Sequence, residues 1–464
     1  MTTKARPPGP RGLPVLGNAI EMIRDPLGFL QQVSSEYGDV VRFALPGQTI
    51  YLLNHPSAID EAFRAQNDRL IKDEFTRRLS VLVGNGLLTS EGHFWKRQRK
   101  LAQPAFHHRR VQGYAEAMVR HAGRCASQIA SGETRDVHQD MMRLTLDIVA
   151  ETLFGTDVAE TADVIREALD AATDRFAGYA ALVPVSVPTS ANRRFRRAVR
   201  QLDDVVYGMI REHRAHGDRG DLLSMLLEAK VEDGSSMSDQ QVRDEVVTLM
   251  LAGHETTALT LSFALHSVAR NPSVQSALLD EIERICPDRP ATETDVGNLP
   301  YARAVVRECM RLYPPAWAIG REVTSPVRIA GYDLEPGTQL WMAQWVVHRD
   351  PRYFKNPETF QPERWTKEFE EQLPRFAYFP FGGGPRVCIG NAFAMMEAVL
   401  LLTTIMQKCR IEPSDLREVR LFPSATLRPR DGIHLRLRPR ATRGAAGRAG
   451  PQGDVKVSSA HRRS

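Results

Sequence analysis

FGGGPRVCIG, residues Phe381 to Gly390, is the stretch on which the reading of this chain turns. It sets one cysteine, Cys388, in a loop of three consecutive glycines, a proline and an arginine, just ahead of a helix-like run. A cysteine that must reach a metal from a sharply turned loop needs neighbours without side chains, because Cβ atoms would block a flat ligand. Gly382, Gly383 and Gly384 meet that need and tolerate positive φ. Backbone N–H groups in such a loop can point at the sulfur and moderate its charge, as contacts around a thiolate-bound iron do. Arg386 carries the charge to pair with a carboxylate on the ligand. Phe381 has the face to pack beside it. An isolated cysteine is commonly a buried free thiol beside a turn. The joint spacing of Phe, Gly, Arg, Cys and Gly argues against that here.

The 464 residues are 42% hydrophobic and 25% charged, the balance of a soluble globular protein with a sizeable core. Length alone, at ~150 residues per domain, suggests about three domains. No repeat and no obvious linker separates residues 20 and 430, so residues 1–438 read as one large, mostly helical domain. Cys125, Cys286, Cys309, Cys388 and Cys409 are scattered and form no C-x-x-C pair. That argues against a disulfide framework and a structural zinc site, and fits a reducing cytosol. Six basic residues (Arg440, Arg443, Arg448, Lys456, Arg462, Arg463) and one acid, Asp454, give residues 439–464 a charge of +5, which is the whole formal charge of the chain. The remainder is near neutral, so nucleic-acid binding is not indicated. The tail, rich in Gly, Ala, Ser and Arg, is expected to be a disordered basic extension. At the other end, MTTKARPPGPRGLPVLGN shows no secretory signal. It contains no run of ~20 apolar residues that would span a membrane.

The alternating residues 38–54 around Pro46 and Gly47 predict a β-hairpin. Helical patterning covers residues 56–66, 94–130, 138–155, 160–178, 192–216, 239–270, 272–285, 300–312 and 391–407. Short strands are expected within 320–345, followed by a long coil to Cys388. Helices dominate, with small sheets towards the two ends.

The long helix contains VVTLMLAGHETTALTLSFALHSVA, residues 246–269, apolar almost all round and therefore buried in a large core. A membrane span is the rival reading. An acid such as Glu255 at its centre would cost ~2.5–3.5 kcal/mol there. Gly253 costs about 1 kcal/mol relative to Ala in a helix interior. Ala252 and Thr256 share a face. Small side chains at 252 and 253 open room beside the helix. The Thr256 hydroxyl can point into that gap or bond back to the Ala252 carbonyl.

The cysteine loop resembles the haem-binding loop of the cytochrome P-450 monooxygenases, and AGHETT, residues 252–257, looks like their oxygen-activation motif. Glu308 and Arg311 in RECMRLYP, with Arg364 in PERW, match the family's E-x-x-R pair and the arginine that joins it. The resemblance covers about residues 7–438. It implies a mainly α fold, a large helical domain with small β-sheets, with haem b between the long central helix and the cysteine loop. It makes Cys388 thiolate the axial iron ligand, Thr256 the distal alcohol and Glu255 the acid of a proton relay, with His254 structural. Glu308, Arg311 and Arg364 become a planar bidentate lock that holds the cysteine loop, where an ordinary solvated helix ion pair would be worth ~0.2–0.5 kcal/mol. Cations for the two haem propionates come from Arg99 with Trp95 in WKRQR, from Arg321 in GREV and from Arg386, with His93 as a further candidate. His348 in HRDP is assigned a structural role.

The family's pocket regions correspond here to Leu79, Val81, Leu82, Leu87, Phe176, Tyr179, Leu182, Val183, Met250, Ala252, Ala316, Trp317 and Ile319. Nearly all are apolar, so a hydrophobic substrate is expected. RLIKDEF, GLLTSEGHFWKRQRK and MMRLTLDIVAETLFG resemble the fatty-acid-hydroxylating bacterial branch and its eukaryotic relatives. The expected substrate is therefore a fatty acid, with a terpenoid or steroid skeleton as the alternative. Membrane-bound members carry an anchor ahead of a similar proline-rich hinge, so its absence implies a soluble, cytoplasmic, bacterial-type protein. The resemblance implies dioxygen as co-substrate; no flavin, nicotinamide or iron–sulfur signature is present, so electrons are expected from separate donors, a ferredoxin and its reductase. They would dock nearest Cys388, near Arg97, Lys100, Arg109 and Arg110. The rivals are a peroxide-using or rearranging member of the family, against which the acid–alcohol pair argues, and a non-catalytic haem-binding sensor, in which that pair would serve no purpose.

Overall fold

The helix Asp239–Arg270 runs for 32 residues, with the bounds its sequence predicts. Ser238 caps it: the Ser238 hydroxyl accepts the Gln241 N–H and the Gln241 side chain accepts the Ser238 N–H, so two end donors are satisfied reciprocally. A computed structural model of the chain describes residues 6–65, 69–155, 162–176, 183, 185–229, 236–287 and 289–440. The expected basic tail lies outside them, save Pro439 and Arg440.

Most of this central helix from Val242 to Ala269 is buried. Helices Val137–Phe154, Pro300–Leu312 and Asn391–Lys408 pack against it. Val149, Phe154, Leu259, Phe263, Leu400 and Ile405 belong to the core they share. The helix Val137–Phe154 stops at Gly155, whose φ of +56° is left-handed, as the sequence predicts. The helix expected over 94–130 is instead four pieces: Gly92–Ala102, a 3-10 turn Gln103–Phe106, His108–Gly113 and Ala115–Ile129. Pro104 lacks an N–H and its ring clashes with the preceding turn, which accounts for the break.

The predicted hairpin is present as Val40–Leu45 paired antiparallel with Gln48–Leu53. It extends into a five-stranded sheet through Gln339–Met342 and Ile319–Val323 to Leu70–Lys72. In the last pairing Lys72 lies opposite Arg321, which sets two cations side by side. Near the C-terminus Thr134–Asp136, His434–Pro439 and Cys409–Pro413 form a three-stranded sheet. The sequence reading has no strand at 434–439, although HLRLRP alternates buried Leu with exposed His and Arg.

The irregular segment between Val347 and Cys388 is held from beneath. Glu308 Oε1 accepts from Arg311, Arg364 and the Gln361 N–H at 2.8, 3.0 and 3.0 Å. Its Oε2 accepts from Arg311 and the Trp365 indole, both at 2.9 Å. Arg311 also donates to the carbonyls of His348, Pro357 and Thr359. Glu308 and Arg311 are fully buried.

Candidate active site

Within the cysteine loop Gly382 and Gly384 have φ of +71° and +64°. A Cβ on Gly383 would fall 2.3 Å from Phe376 and 2.7 Å from Phe63. The loop therefore lies flat on two aromatic rings and turns twice where only glycine is unstrained. The Cys388 N–H donates to the Phe381 carbonyl at 3.0 Å. The Cys388 surface is accessible, yet the surrounding protein desolvates the thiol. Burial pushes this thiol above its ordinary value, against the Gly390 N–H bond to sulfur and the Arg99 charge, both of which favour thiolate. Arg99 Nη1 donates to the Val387 carbonyl at 2.6 Å, which joins the Gly92–Ala102 helix to the loop.

The central helix is open at one place in its buried middle. Ala252 is exposed, and Leu251, Gly253 and Thr256 are half-buried. The Thr256 hydroxyl donates to the Ala252 carbonyl at 2.7 Å. Glu255 and Thr256 do not hydrogen-bond each other among the described residues. Glu255 instead accepts from Arg428 at 2.7 Å and from the Thr426 hydroxyl. Burial alone would raise the Glu255 carboxyl, but Arg428 and Thr426 outweigh it and hold its pKa below the usual carboxylate value. His254 is buried, its Nδ1 3.2 Å from the Met250 carbonyl. Glu397, on the helix that follows Cys388, faces Thr257. Neither side chain has a well-formed hydrogen bond among the described residues. Burial pushes the Glu397 carboxyl up to about 8, and Thr257 offsets this only in part.

A third group lies along the edge of the loop. Arg386 donates to the Ser90 carbonyl at 2.9 Å, pairs with Glu91, and stands 3.9 Å over the Trp95 ring. Burial lowers the Arg386 pKa to about 10; Glu91 opposes this, and Arg321 and Arg99 add to it. Burial pulls Arg321 down too, against Asp73 and Glu91. Lys72 belongs to the same cluster. Burial drives its ammonium well below the usual value, Arg321 and Arg386 add to this, and Glu91 and Asp73 oppose it. The sequence reading has no role for Lys72. Its signal is the strand register opposite Arg321, which no local pattern reveals. His93 is exposed at the start of the Trp95 helix and has no polar contact among the described residues. His348 is fully buried and accepts the Phe379 N–H on Nε2 at 2.9 Å, a structural placement.

A haem is the group these residues can be tested against, and they fit it. A desolvated thiol stands in a loop that no side chain obstructs. A helix otherwise buried exposes Ala252, whereas the room expected at Gly253 is taken by Val149, which a Cβ there would meet at 3.2 Å. Arg99, Arg321 and Arg386, with Lys72 beside them, meet the carboxylates Asp73 and Glu91 along the loop edge, and this cationic rim suits a group that carries carboxylates of its own.

Among the expected pocket residues, Leu82 and Met250 line one small apolar cavity with Ile165, Leu202, Val247 and Leu251. Leu79 and Leu87 are half-buried against the main core. Ile319 lies beside Gly382 of the cysteine loop. Ala316 and Val183 are half-buried, and Val81 is 43% exposed. Trp317 packs in a separate core with Phe29 and Phe43, its indole donating to the Ser424 carbonyl at 2.9 Å, so that contact rather than a pocket occupies it. Phe176 ends its helix without a described side chain, and Tyr179 and Leu182 lie outside the described residues.

The family model for cytochrome P-450 matches residues 7–436. The chain is 36% identical to cyclooctatin synthase of Streptomyces melanosporofaciens over 93% of each chain. It is 35% identical to cyclooctat-9-en-7-ol 5-monooxygenase of the same organism, over 87% of this chain and 89% of that one. Pentalenene oxygenase of Streptomyces avermitilis is 33% identical over 93% of this chain and 97% of its own. The chain belongs to the cytochrome P-450 family and is a monooxygenase of it. The family implies a haem-thiolate cofactor, a hydrophobic substrate, dioxygen and redox partners. No helix among the described residues is long and apolar enough to cross a membrane, which removes the spanning reading of the central helix.

Proposed function

We propose that the chain hydroxylates or epoxidises a terpenoid hydrocarbon skeleton, with haem b held by the Cys388 thiolate and electrons supplied by a ferredoxin and its reductase. The observation that carries the site assignment is Cys388, accessible and desolvated on an unobstructed loop. The substrate class rests on the relatives, which are named for cyclooctatin, cyclooctat-9-en-7-ol and pentalenene. It replaces the fatty acid expected from the sequence, because terpenoid names lead among the relatives.

When bound, the haem supplies the iron at which dioxygen is activated. The chain supplies the rest. Gly390 N–H and the Arg99 charge favour thiolate at Cys388. Lys72, Arg99, Arg321 and Arg386, with Trp95 beneath Arg386, are placed to hold the two propionates. Thr256 holds a proton at Oγ1, parked on the Ala252 carbonyl within the one opening of the central helix. Glu255 is ionised and paired with Arg428 and Thr426, so passing a proton towards Thr256 requires it to leave that pair. The electron donor is placed beside the cysteine loop. There Arg303 and Arg307 line a cavity of about 260 Å³ together with Met310, Phe379, Phe381 and Met395. Arg109 and Arg110 are exposed, as a charge-steered contact with an acidic ferredoxin needs.

The test is a Soret titration of the purified holoenzyme with pentalenene and related cyclic terpenes, and in parallel with fatty acids of graded length. A saturable spin-state shift with the terpenes and none with the acids is expected. A shift with fatty acids alone would return the substrate to that class. A reduced, carbon monoxide-bound spectrum without the thiolate signature would overturn the Cys388 assignment.

A further inference from the structure

We propose that Asp244 and Glu245 are specificity-determining positioning residues: their carboxylates clip the loop of residues 84–90 onto the central helix and so set the roof of the substrate cleft. The proposal rests on the haem-site reading above, since it is that site which the roof would cover.

Alternate residues of the loop bind one stretch of the central helix through their backbones. The Val83 carbonyl accepts the Thr248 hydroxyl at 3.5 Å, Asn85 N–H donates to Asp244 Oδ2 at 2.8 Å, and Leu87 N–H donates to Glu245 Oε2 at 3.0 Å. The residues between them are glycines. A Cβ on Gly84 would sit 2.0 Å from the Asp244 carboxylate, and one on Gly86 2.2 Å from Thr248 Oγ1. The loop backbone thus lies directly on the helix and depends on these side chains to satisfy its N–H groups.

The same two acids reach the other elements around the cleft. Glu245 Oε1 accepts from Gln98 at 3.1 Å, on the helix that carries Trp95 and Arg99. Asp244 Oδ1 accepts from Arg243 at 3.1 Å, and Arg243 Nε donates to Asp203 at 2.7 Å on the helix Ser190–His216. Both carboxyls are buried, Glu245 completely. Apolar side chains would fill such a helix face without the desolvation cost. What the acids supply instead is a fixed position for Leu87 and for the chain next to Leu82, which lines the small apolar cavity with Met250 and Leu251 beside the opening of the central helix.

Glu245 also makes the clip sensitive to pH. Burial pushes its carboxyl up to about 7, against the Leu87 N–H and Gln98, with Asp244 adding to the rise. The ionised group accepts on both oxygens. Protonation removes the charge that strengthens both contacts, and a proton on the oxygen facing Leu87 N–H sets a donor against a donor, so the clip loosens below about pH 7 and holds above it. The groups packed against Glu245 from the loop and from the Trp95 helix, Leu87 N–H and Gln98, are neutral, as is the Met237 sulfur behind Gln98. Asp244, on its own helix, is the charged neighbour.

The test uses the holoenzyme and its Glu245→Gln and Asp244→Asn variants. Imidazole, 4-phenylimidazole and 4-(4-biphenylyl)imidazole are titrated while the Soret band is followed. Amide exchange across residues 84–90 is measured in the same samples at pH 6 and pH 8. The expected result is unchanged imidazole affinity and size discrimination among the three ligands flattened about tenfold, as losing one buried hydrogen bond would give. Faster exchange at residues 85 and 87 is also expected, as is loss in Glu245→Gln of the pH dependence seen in the native chain. A native size profile together with native exchange in both variants would overturn the proposal. If no imidazole shifts the Soret band, the haem reading fails; the exchange data then decide the clip, with native protection in Glu245→Gln refuting it.

Discussion

Glu308→Gln tests whether the irregular segment ahead of the cysteine loop depends on one buried carboxylate. The substitution keeps the shape and removes the charge. In the native chain Oε1 takes three donors and Oε2 two, and the two guanidiniums concerned are at most 6% exposed. An amide nitrogen in place of either oxygen sets a donor against N–H donors and leaves the charges of Arg311 and Arg364 without a counter-ion. Breaking a buried pair in this way costs about 3–5 kcal/mol. The loss falls on the coil, because Arg311 and Arg364 also hold the carbonyls of Lys355, Pro357 and Thr359. Helix packing against the central helix is untouched. The assay is urea unfolding followed both by far-UV circular dichroism and by the Soret band, with haem content per chain. Near-native helix content with haem content cut severalfold and a Soret transition at lower urea is expected. A variant with native haem content and a Soret transition within about 1 kcal/mol of the native chain would refute the reasoning.

Four further outcomes are expected. Thr256→Ala, which removes the one hydroxyl in the opening of the central helix, should keep electron consumption while product per electron falls and peroxide rises; unchanged coupling would remove the proton-holding role. Arg428→Met leaves Glu255 buried without its counter-charge, so its carboxyl should rise from below its usual value and the pH dependence of coupling efficiency should move to higher pH; a pH profile identical to that of the native chain would argue that Glu255 takes no part. Glu397, raised to about 8 in the fold, is protonated there while the unfolded chain is ionised above pH 4.5, so it contributes a fall in stability of about 1.4 kcal/mol per pH unit between those values that levels off above; Glu397→Gln should reduce the slope by that amount, most clearly between pH 7 and 8 where Glu245 no longer contributes, and a native slope in the variant would place the titration elsewhere. Cys388→Ser should leave the far-UV spectrum near native while the carbon monoxide-bound band moves away from its thiolate position, and a retained band would mean another ligand.

Some of this protein was legible locally. The cysteine loop, the AGHETT turn and the E-x-x-R pair each fit within one or two turns of chain, so residue type and spacing carry them. The central helix could be bounded to the residue because its capping box and its apolar run are local as well. Pro104 could have divided the 94–130 helix on the same local grounds, and HLRLRP could have been read as a strand.

Pairings across the chain could not be read in that way. Nothing near Glu255 in sequence points to Thr426 or Arg428, 171 and 173 positions away, yet these contacts turn the expected relay acid into a buried ion pair. Lys72 stands in an unremarkable RLIK, and only the register that sets it opposite Arg321 makes it part of the cationic rim. Asp244 and Glu245 look like the solvated start of a helix until the loop at 84–90 folds onto them. Local spacing thus determined which groups could bind a haem and activate oxygen. The tertiary structure alone decided which charges meet, because an ion pair's partner and its desolvation exist only once distant segments share one interior.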